Sequence, residues 1–543
     1  MRVNRRPRAS VTQRMSRAIS DSVTGRRVIA FREELRRRHA PVHWTNLFGI
    51  VTLACVVVVF GTGIALMFFY QPSGSLTRYD GSYAPLHGST MSQALRSTLA
   101  LSFDVRGGML LRQAHHWAAL LLPAAIILQL LVTFFTGAFR RPRTGMWVLL
   151  FGILIVALAG GWSGYALPDD MLSGTGLRIT QGIVLGIPVM GTWLSSLLFG
   201  GEFPGSIIEH LYPLHVAVVP ALLVLLLVLR ARSAWFHKPP QFPAQGRSER
   251  IVVGVPLWPN HAARNGGLFA LVVGMLVLVS AFVTVDPVWL YGPSDPAAAS
   301  AGSQPDWYTG FLDGALRLVP PGWEFVWLGH TWSFSVLVPL AVVGLFLLAV
   351  LVYPFAEEWV TADHREHHLL DRPRTVPVRT AIGVAGVVFY GVLWSAGSAD
   401  LVATHFGLSV ESVVVLLQVT LVVGPIAAFI LTRRVAIGLQ RKDQEILLHG
   451  YETGRIVRLP GGEYVEIHRP VDAPEALRLS SAGDYVPIAA HPDDDGHLHL
   501  GDRVRARLSE FFFEDRMVPV QHNDDGVGEE RTHERSIERA SRS

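Results

Sequence analysis

Cysteine is almost absent from this chain, and its absence removes several classes of site. The 543 residues include one cysteine, Cys55, which lies inside an apolar run. A single cysteine excludes a disulfide framework, an iron–sulfur cluster held by thiolates and a haem attached through a CxxCH motif. Any cofactor must therefore be held by other ligands, and the 21 histidines are the evident supply.

Charge is also scarce. Charged residues make up 17% of the chain, half of all residues are apolar, and the mean hydropathy is +0.34. This composition is typical of a polytopic membrane protein. We predict spans of about 20 residues, the length that crosses a bilayer, at 44–69, 113–137, 146–166, 214–231, 267–285, 333–353, 379–397 and 411–432. The predicted fold class is an all-α polytopic membrane protein with eight transmembrane helices.

Positive charge is concentrated in alternate loops. Residues 1–39 hold twelve arginines and three acids, and they lack the apolar core of a cleavable signal peptide. Further basic clusters follow the second, fourth, sixth and eighth spans, whereas acids gather in the opposite loops. The positive-inside rule therefore predicts that both termini are cytoplasmic. The slightly basic net charge is explained by this topology, and we expect no nucleic-acid partner.

The charge and hydropathy pattern divides the chain into four parts. These are a basic cytoplasmic N-terminal arm (1–41), an N-terminal four-helix domain (42–242), a C-terminal four-helix domain (243–433) and a cytoplasmic C-terminal extension (434–543). Within the extension, "GRIVRLPGGEYVEIHRP" alternates like a short hairpin. The residues from Asn523 onward are polar and charged, and we predict that they are disordered.

Two histidines stand at the same end of their spans. His115 follows Arg112 by three residues in the second span, and His215 opens the apolar run of the fourth. Because these two spans run in the same direction, the histidines lie at one depth, as an axially bis-ligated haem requires. The alternative is a pair of buried histidines that are hydrogen-bonded to backbone carbonyls.

Glycines accompany the histidines. Gly49 and Gly63 in the first span are fourteen residues apart, about 21 Å along one helix face, and Gly164 lies at the end of the third span. Glycine lets a flat macrocycle approach a helix backbone, but it equally permits close packing of two helices. The sequence leaves both readings open.

A motif in the loop after the fifth span identifies a family. "GSQPDWY" contains Pro305, Asp306, Trp307 and Tyr308, and it is joined by "WSGYALPDDMLSGTGLRIT", "HHWAAL", "FFTGAFRRPR" and "LLDRPRTVPVRTAIG". Together these resemble cytochrome b of the quinol:cytochrome c reductase (bc1) complex over residues 40–470. Asp306 stands where the PEWY-type motif has Glu, and the DD of "ALPDD" suits the actinobacterial branch of the family.

The resemblance implies a role for each of these residues. The N-terminal domain would be the haem-binding half, with His115 and His215 as iron ligands of the outer haem, Arg112 at its propionate, and Gly63 and Gly164 beside it. His116 would be a neighbour rather than a ligand. The C-terminal domain would hold the quinol-oxidation site, where Asp306 accepts a quinol proton and Tyr308 positions the ring. Pro305 and Trp307 would belong to the same quinol site.

The family carries a second, inner haem, and the matching positions here are degenerate. Its ligand positions hold Gln129 and Arg230, its propionate arginine is replaced by Val132, and its glycine by Leu150. A guanidinium offers no lone pair to iron, and an amide is a poor ligand. We therefore expect one haem b instead of the family's two. A replacement ligand from elsewhere, or a misaligned helix, would restore the second.

The resemblance predicts a membrane electron-transfer subunit of a respiratory menaquinol:cytochrome c reductase, an oxidoreductase of the plasma membrane. It would oxidise quinol at the outer site and pass an electron to haem b. Without the inner haem the relay has a gap of about 20 Å along the helices, so a full Q-cycle is doubtful. The alternative is a non-catalytic or one-haem paralogue with a structural or assembly role in the complex. A transporter lacks support because no paired broken-helix repeat is seen.

The family also implies partners. These are menaquinol and menaquinone, a Rieske iron–sulfur subunit, a cytochrome c subunit, membrane lipid and a second copy of the chain. A haem-b dehydrogenase anchor is disfavoured by the eight spans and by "PDWY". The cytoplasmic "HREHH", His364 to His368, fits a metal site only loosely.

Overall fold

Eight helices are long and apolar enough to cross a membrane in the part of the chain that the structure describes. This structure is a computed structural model, and it describes residues 22–201, 203–298, 304–480, 486–490 and 499–516. Spans one to eight are Trp44–Leu66, Gly108–Phe135, Thr144–Ala166, Ile207–Phe236, Leu257–Phe282, Phe334–Thr361, Pro377–Gly397 and Val410–His449. The predicted fold class and each of the predicted spans are confirmed, with ends that shift by several residues.

The spans pack into two groups around a continuous apolar core. Span one packs on span two, span three on span four, and span seven on span eight, while span five lies against span one. The core of the first group includes Cys55, Ala118, Ile126 and Ile153, which are fully buried. Helices that are apolar on all sides suit a lipid environment, and a membrane helix tolerates an internal proline such as Pro123.

Shorter helices connect the spans. In chain order they are α1 (Val23–Arg37), α2 (Gln93–Phe103), α3 (Met171–Leu185), α4 (Gly191–Phe199), α5 (Val288–Tyr291), α6 (Gly310–Arg317), α7 (Ala399–Phe406), α8 (Ala473–Leu479) and α9 (Leu500–Phe513). Side-chain caps fix where two of them begin: Ser92 Oγ accepts from Leu95 N at the start of α2, and Asp170 accepts from Leu172 N at the start of α3. Helices α3 and α6 bring the loops after spans three and five over the outer end of the bundle.

Four two-stranded antiparallel sheets complete the described fold. They pair β1 (His39–Ala40) with β4 (Val255–Pro256), β2 (Leu76–Arg78) with β3 (Thr90–Ser92), β5 (Glu324–Trp327) with β6 (His330–Ser333), and β7 (Tyr451–Arg458) with β8 (Tyr464–Arg469). The last pair is the hairpin that the sequence predicts, and it begins three residues earlier. The β5–β6 hairpin, which joins α6 to span six, is not foreseen by the sequence.

The C-terminal extension returns to the helix bundle. Span eight continues to His449, beyond the predicted domain boundary at 433/434, and α9 then packs beside span six. Arg505 Nε donates to the carbonyl of Trp359 at 2.8 Å, and Phe512 and Phe513 are buried. Of the extension's described residues, those of α9 are therefore part of the folded bundle. The segment from Asn523 onward lies outside the described residues.

Candidate functional site

His115 and His215 face each other across the N-terminal bundle. Their ring centres are 6.2 Å apart and their planes cross at 66°. An imidazole nitrogen binds a metal ion at about 2 Å, so two rings on opposite sides of one ion have centres roughly 6 Å apart. The pair is therefore spaced to hold one metal atom between the rings.

Hydroxyl groups fix the orientation of both rings. The Thr62 hydroxyl donates to the carbonyl of Val58, so it accepts the hydrogen bond of 2.9 Å from His115 Nδ1. His215 Nδ1 likewise lies 3.1 Å from both Ser163 Oγ and the carbonyl of Gly160. Since Nδ1 donates in each ring, the lone pair of Nε2 is left for a ligand, as in metal-binding histidines.

Two glycines make room for the imidazole rings. A Cβ atom at Gly63 would lie 3.1 Å from His115 Cε1, and one at Gly164 would lie 2.6 Å from His215 Cε1. The backbone around His215 departs from a regular α-helix, because Leu214–Val218 forms a π-helical turn. Such turns are frequent at functional sites, and no sequence pattern predicts this one.

An apolar cavity of about 440 Å³ lies beside the two rings. Its walls include Gly63, His115, Gly164 and His215, and its size is within the range of cofactor pockets. Arg112 also lines it. Arg112 Nη2 donates to the carbonyl of Asp286 at 2.8 Å, while its buried Nε has no hydrogen-bond partner among the described residues. Paired imidazoles, an apolar slot and an unsatisfied guanidinium fit a planar metal macrocycle that carries carboxylates.

Asp306 and Tyr308 stand between this cavity and a second one. The second cavity has a volume of about 410 Å³ and is lined by residues of span three, α3 and α6, together with Pro305. Asp306, Tyr308 and Tyr165 line both cavities. The Tyr308 hydroxyl donates to Asp306 Oδ2 at 2.8 Å. A carboxyl group thus stands where a proton carrier between the two cavities would be needed.

His116 lines the same cavity as the imidazole pair and contacts the acid. Its Nε2 lies 3.2 Å from Asp306 Oδ1. Sequence reasoning, which predicts a neighbour of the ligands, missed this contact. Trp307 does not line either cavity with its motif neighbours. Its indole donates to the carbonyl of Leu120. Its own carbonyl accepts from Trp394 Nε1 at 2.9 Å. Trp307 therefore anchors the loop to spans two and seven.

Further acids at the outer end escaped the sequence analysis. Asp286 lines the first cavity, and its buried Oδ1 has no hydrogen-bond partner among the described residues. Burial raises its pKa. Burial also raises the pKa of Asp170 to about 7, and the charge of Asp286 adds to the effect. Burial raises the pKa of Tyr308, which keeps this phenol protonated as a donor. The sequence signal for Asp286 is its place in an acidic loop, and Asp170 is also the second acid of "ALPDD".

The four degenerate positions lie deeper in the same bundle. Leu150 is 3% exposed and packs in the apolar core with Leu130 and Trp147. The Nε2 of Gln129 lies 3.5 Å from where a Cβ of Gly49 would be, which repeats the arrangement of His115 and Gly63. Neither Gln129 Oε1 nor Arg230 Nε has a partner among the described residues. The fourth position, Val132, is half-buried.

The histidines of "HREHH" are engaged with carboxylates. His364 Nδ1 lies 2.7 Å from Glu358, and His367 Nε2 lies 3.0 Å from Asp363. Within the described ranges, no group of three or more His, Cys, Asp or Glu side chains is placed to hold a metal ion.

Known proteins similar to this chain include cytochrome b subunits of bc1 complexes. Residues 120–293 match the family model described as cytochrome b(N-terminal)/b6/petB. The chain is 44% identical over 490 residues to the cytochrome bc1 complex cytochrome b subunit of Streptomyces coelicolor, covering 89% of this chain and 90% of the relative. It is 46% identical over 433 residues to the subunit of the same name from Mycobacterium tuberculosis, covering 79% of this chain and 78% of the relative.

A solved structure has the same fold. One chain of a hyperthermophilic respiratory Complex III matches with a TM-score of 0.56, covering 76% of this chain and 98% of that chain. The identity is 18%, so this likeness concerns the fold alone.

Proposed function

The chain belongs to the family of cytochrome b subunits of bc1 complexes, and on this premise we propose that it oxidises quinol at its outer cavity while holding a single haem b. It is a multi-pass membrane subunit of a quinol:cytochrome c oxidoreductase. The observation that carries the proposal is the wall formed by Asp306 and Tyr308 between the two cavities. The cavity of about 410 Å³ would take the quinol head group.

The residues around the first cavity fit haem b. His115 and His215 would bind the iron through Nε2, with Thr62 and Ser163 holding the rings in place. Arg112 would meet a propionate with the guanidinium nitrogen that has no partner. Haem b bound there would supply a one-electron carrier beside the quinol site.

Asp306 would accept a proton from quinol. A carboxyl group can accept a proton in one orientation and release it in another, which suits a site between an apolar cavity and the outer face. Tyr308 donates to Oδ2 of the carboxylate and His116 Nε2 lies near both oxygens, so the acid is kept in a defined position. Tyr308 would thereby position the acid as well as the quinol ring, and Pro305 would line the quinol site.

Four features of the inner level support a single haem. Gln129 and Arg230 stand where the family places ligands, and neither side chain is a good donor to iron. Leu150 fills space within the apolar core, and Val132 provides no positive charge for a propionate. The outer level keeps its paired histidines, its arginine and its glycines. The loss of haem-binding features is therefore confined to the inner level.

A chain with one haem lacks the inner half of a transmembrane electron relay. The span from the level of His115 to that of Gln129 is fourteen residues, or about 21 Å. We therefore propose that the chain does not run a full Q-cycle. The packed inner level also favours a second candidate, a non-catalytic paralogue with a structural role in the complex, and the intact acid and quinol cavity weigh against it.

The assembly follows from the family. We propose menaquinol as the substrate, a Rieske iron–sulfur subunit and a cytochrome c subunit as partners, and a homodimer of the chain within the complex. The basic loops favour cytoplasmic termini in the plasma membrane.

Replacement of Asp306 tests the quinol-oxidation proposal. In the complex purified from membranes, Asp306→Asn should lower the rate of quinol oxidation by about 100-fold or more, the usual contribution of a positioned proton acceptor. The haem spectrum should be unchanged. Asp295→Asn is the matched control, because Asp295 is an exposed acid in the same outer loop.

Two results would contradict the proposal. An Asp306→Asn complex with the rate of the unmutated complex would remove the acid from the mechanism. An unmutated complex with no quinol oxidation, although its partner subunits are present, would favour the structural paralogue.

A further inference from the structure

The β5–β6 hairpin, residues 324–333, has one aromatic face and one mostly polar face. Neighbouring residues of a strand point to opposite faces, so Phe325 and Trp327 share a face, and the register pairs them with Trp332 and His330. Phe325 and Trp327 are 43% and 55% exposed. The other face carries Glu324, Val326, Thr331 and Ser333. The exposed aromatic face is therefore the one that is not suited to water.

The turn of the hairpin carries a further apolar side chain. Leu328 and Gly329 form the tip, and both have positive φ, 53° and 74°. A two-residue turn of this kind favours Asn or Gly at its first position, whereas leucine is strained there. Leu328 is 73% exposed. Leucine thus occupies a position whose positive φ disfavours a branched side chain.

The hairpin is continuous with the lipid-facing surface of span six. Strand β6 ends at Ser333, and span six begins at the next residue, Phe334. The rings of Trp323 and Phe325 lie 5.5 and 5.2 Å from the ring of Phe334. Farther along, Leu345 is 65% exposed on the span itself. The aromatic cluster therefore begins where the helix emerges from the bilayer.

The neighbourhood includes the quinol cavity. The hairpin follows α6, whose Phe311 and Leu312 line that cavity. The start of span six packs on the end of α3, because a Cβ at Gly186 would lie 3.1 Å from Val336. Helix α3 lines the same cavity.

We propose that this hairpin lies in the interfacial layer of the bilayer, on the side of the membrane that carries the quinol cavity. Tryptophan and other aromatic residues are favoured at this depth, and four residues per strand span roughly 13 Å, enough to cross the interfacial layer. Lipid is the partner that suits an aromatic face continuous with the exposed surface of a membrane span, because the rings can enter the bilayer while the polar face meets head groups and water.

The cytoplasmic hairpin β7–β8 provides the contrast. It lies beyond the end of span eight, and its strands carry charged residues such as Glu452, Arg455 and Arg469. Ile456 on this hairpin is 66% exposed, and Trp327 on the aromatic face of β5–β6 is 55% exposed. Two exposed apolar residues thus lie on hairpins of different character.

Photo-crosslinking in native membranes tests the placement. Trp327 and, in a separate variant, Ile456 are replaced by p-benzoylphenylalanine, the membranes are irradiated, and the chain is analysed by mass spectrometry. We expect at least about tenfold more phospholipid adduct at position 327 than at 456, because an interfacial side chain contacts acyl chains and a cytoplasmic one does not. The haem spectrum of the purified complex verifies that each variant is assembled.

Other outcomes overturn the proposal. An adduct with another protein chain at position 327 would make the hairpin a subunit interface. Equal, low adduct at both positions would place the hairpin in water.

Discussion

At the scale of single residues, adjacent histidines in span two do different things. His115 turns its Nδ1 to Thr62 and pairs with His215, whereas His116 turns its Nε2 to Asp306. Successive residues on a helix point about 100° apart, so His115 can face His215 while His116, which lines the same cavity, reaches Asp306. Family resemblance suggests from the sequence that one histidine is a ligand and the other is not. The side-chain contacts supply a physical reason for the two roles.

Replacing each histidine separates the two roles. His215→Ala should abolish the haem b absorbance of the chain, because one axial ligand is lost. His116→Ala should retain that absorbance and lower quinol oxidation, since only the support of Asp306 is removed. Visible spectra of the reduced complex, together with the rate of quinol oxidation, measure both effects. Loss of haem in His116→Ala, with haem retained in His215→Ala, would reverse the assignment of the ligand.

At the scale of elements, a buried ion network joins the cytoplasmic ends of the spans. Arg379 of span seven is fully buried and pairs with Glu357 of span six and with Asp371 at 2.8 Å. Arg140, just beyond span two, reaches Asp371 at 3.1 Å. Charges taken out of water are stable only when they are well paired, so these contacts fix how three spans meet.

The network makes a prediction for stability. Arg379→Met should lower the stability of the complex by about 3–5 kcal/mol, because it leaves the buried Glu357 without its cation and Asp371 with Arg140 alone. Arg365→Met is the control, since that arginine is 59% exposed in its pair with Asp363, and exposed pairs contribute roughly 0–1 kcal/mol. Thermal denaturation of the two variant complexes gives the comparison. Equal loss in both variants would contradict a structural role for the buried network.

The same network implies a sensitivity to acid. Burial alone would raise the pKa of Asp371, but Arg140 and Arg379 hold it well below its usual range. A carboxyl group with a lowered pKa in the folded state stabilises the fold above its unfolded pKa of about 3.9. That contribution is lost as the pH falls through the lower, folded value. Arg379→Met should therefore also reduce the dependence of thermal stability on pH in the acidic range.

At the scale of the whole molecule, patterns within short stretches of sequence predict the features that depend only on those stretches. The eight spans, the cytoplasmic hairpin and the candidate ligands follow from hydropathy, alternation and spacing. The contact of His116 with Asp306, the π-helical turn at His215 and the docking of α9 on span six join residues far apart or depend on packing. No local pattern records them, and so the sequence analysis missed them.

The two levels of the bundle lead to one central claim, a single haem b per chain. At the outer level, glycines and oriented imidazoles border an open cavity. At the inner level, Gln129, Arg230 and the packed Leu150 occupy the equivalent positions. The most direct measurement is haem b per copy of this chain in the purified complex, by pyridine haemochrome and quantitative amino-acid analysis. The account predicts a value near one, and a value near two would contradict it.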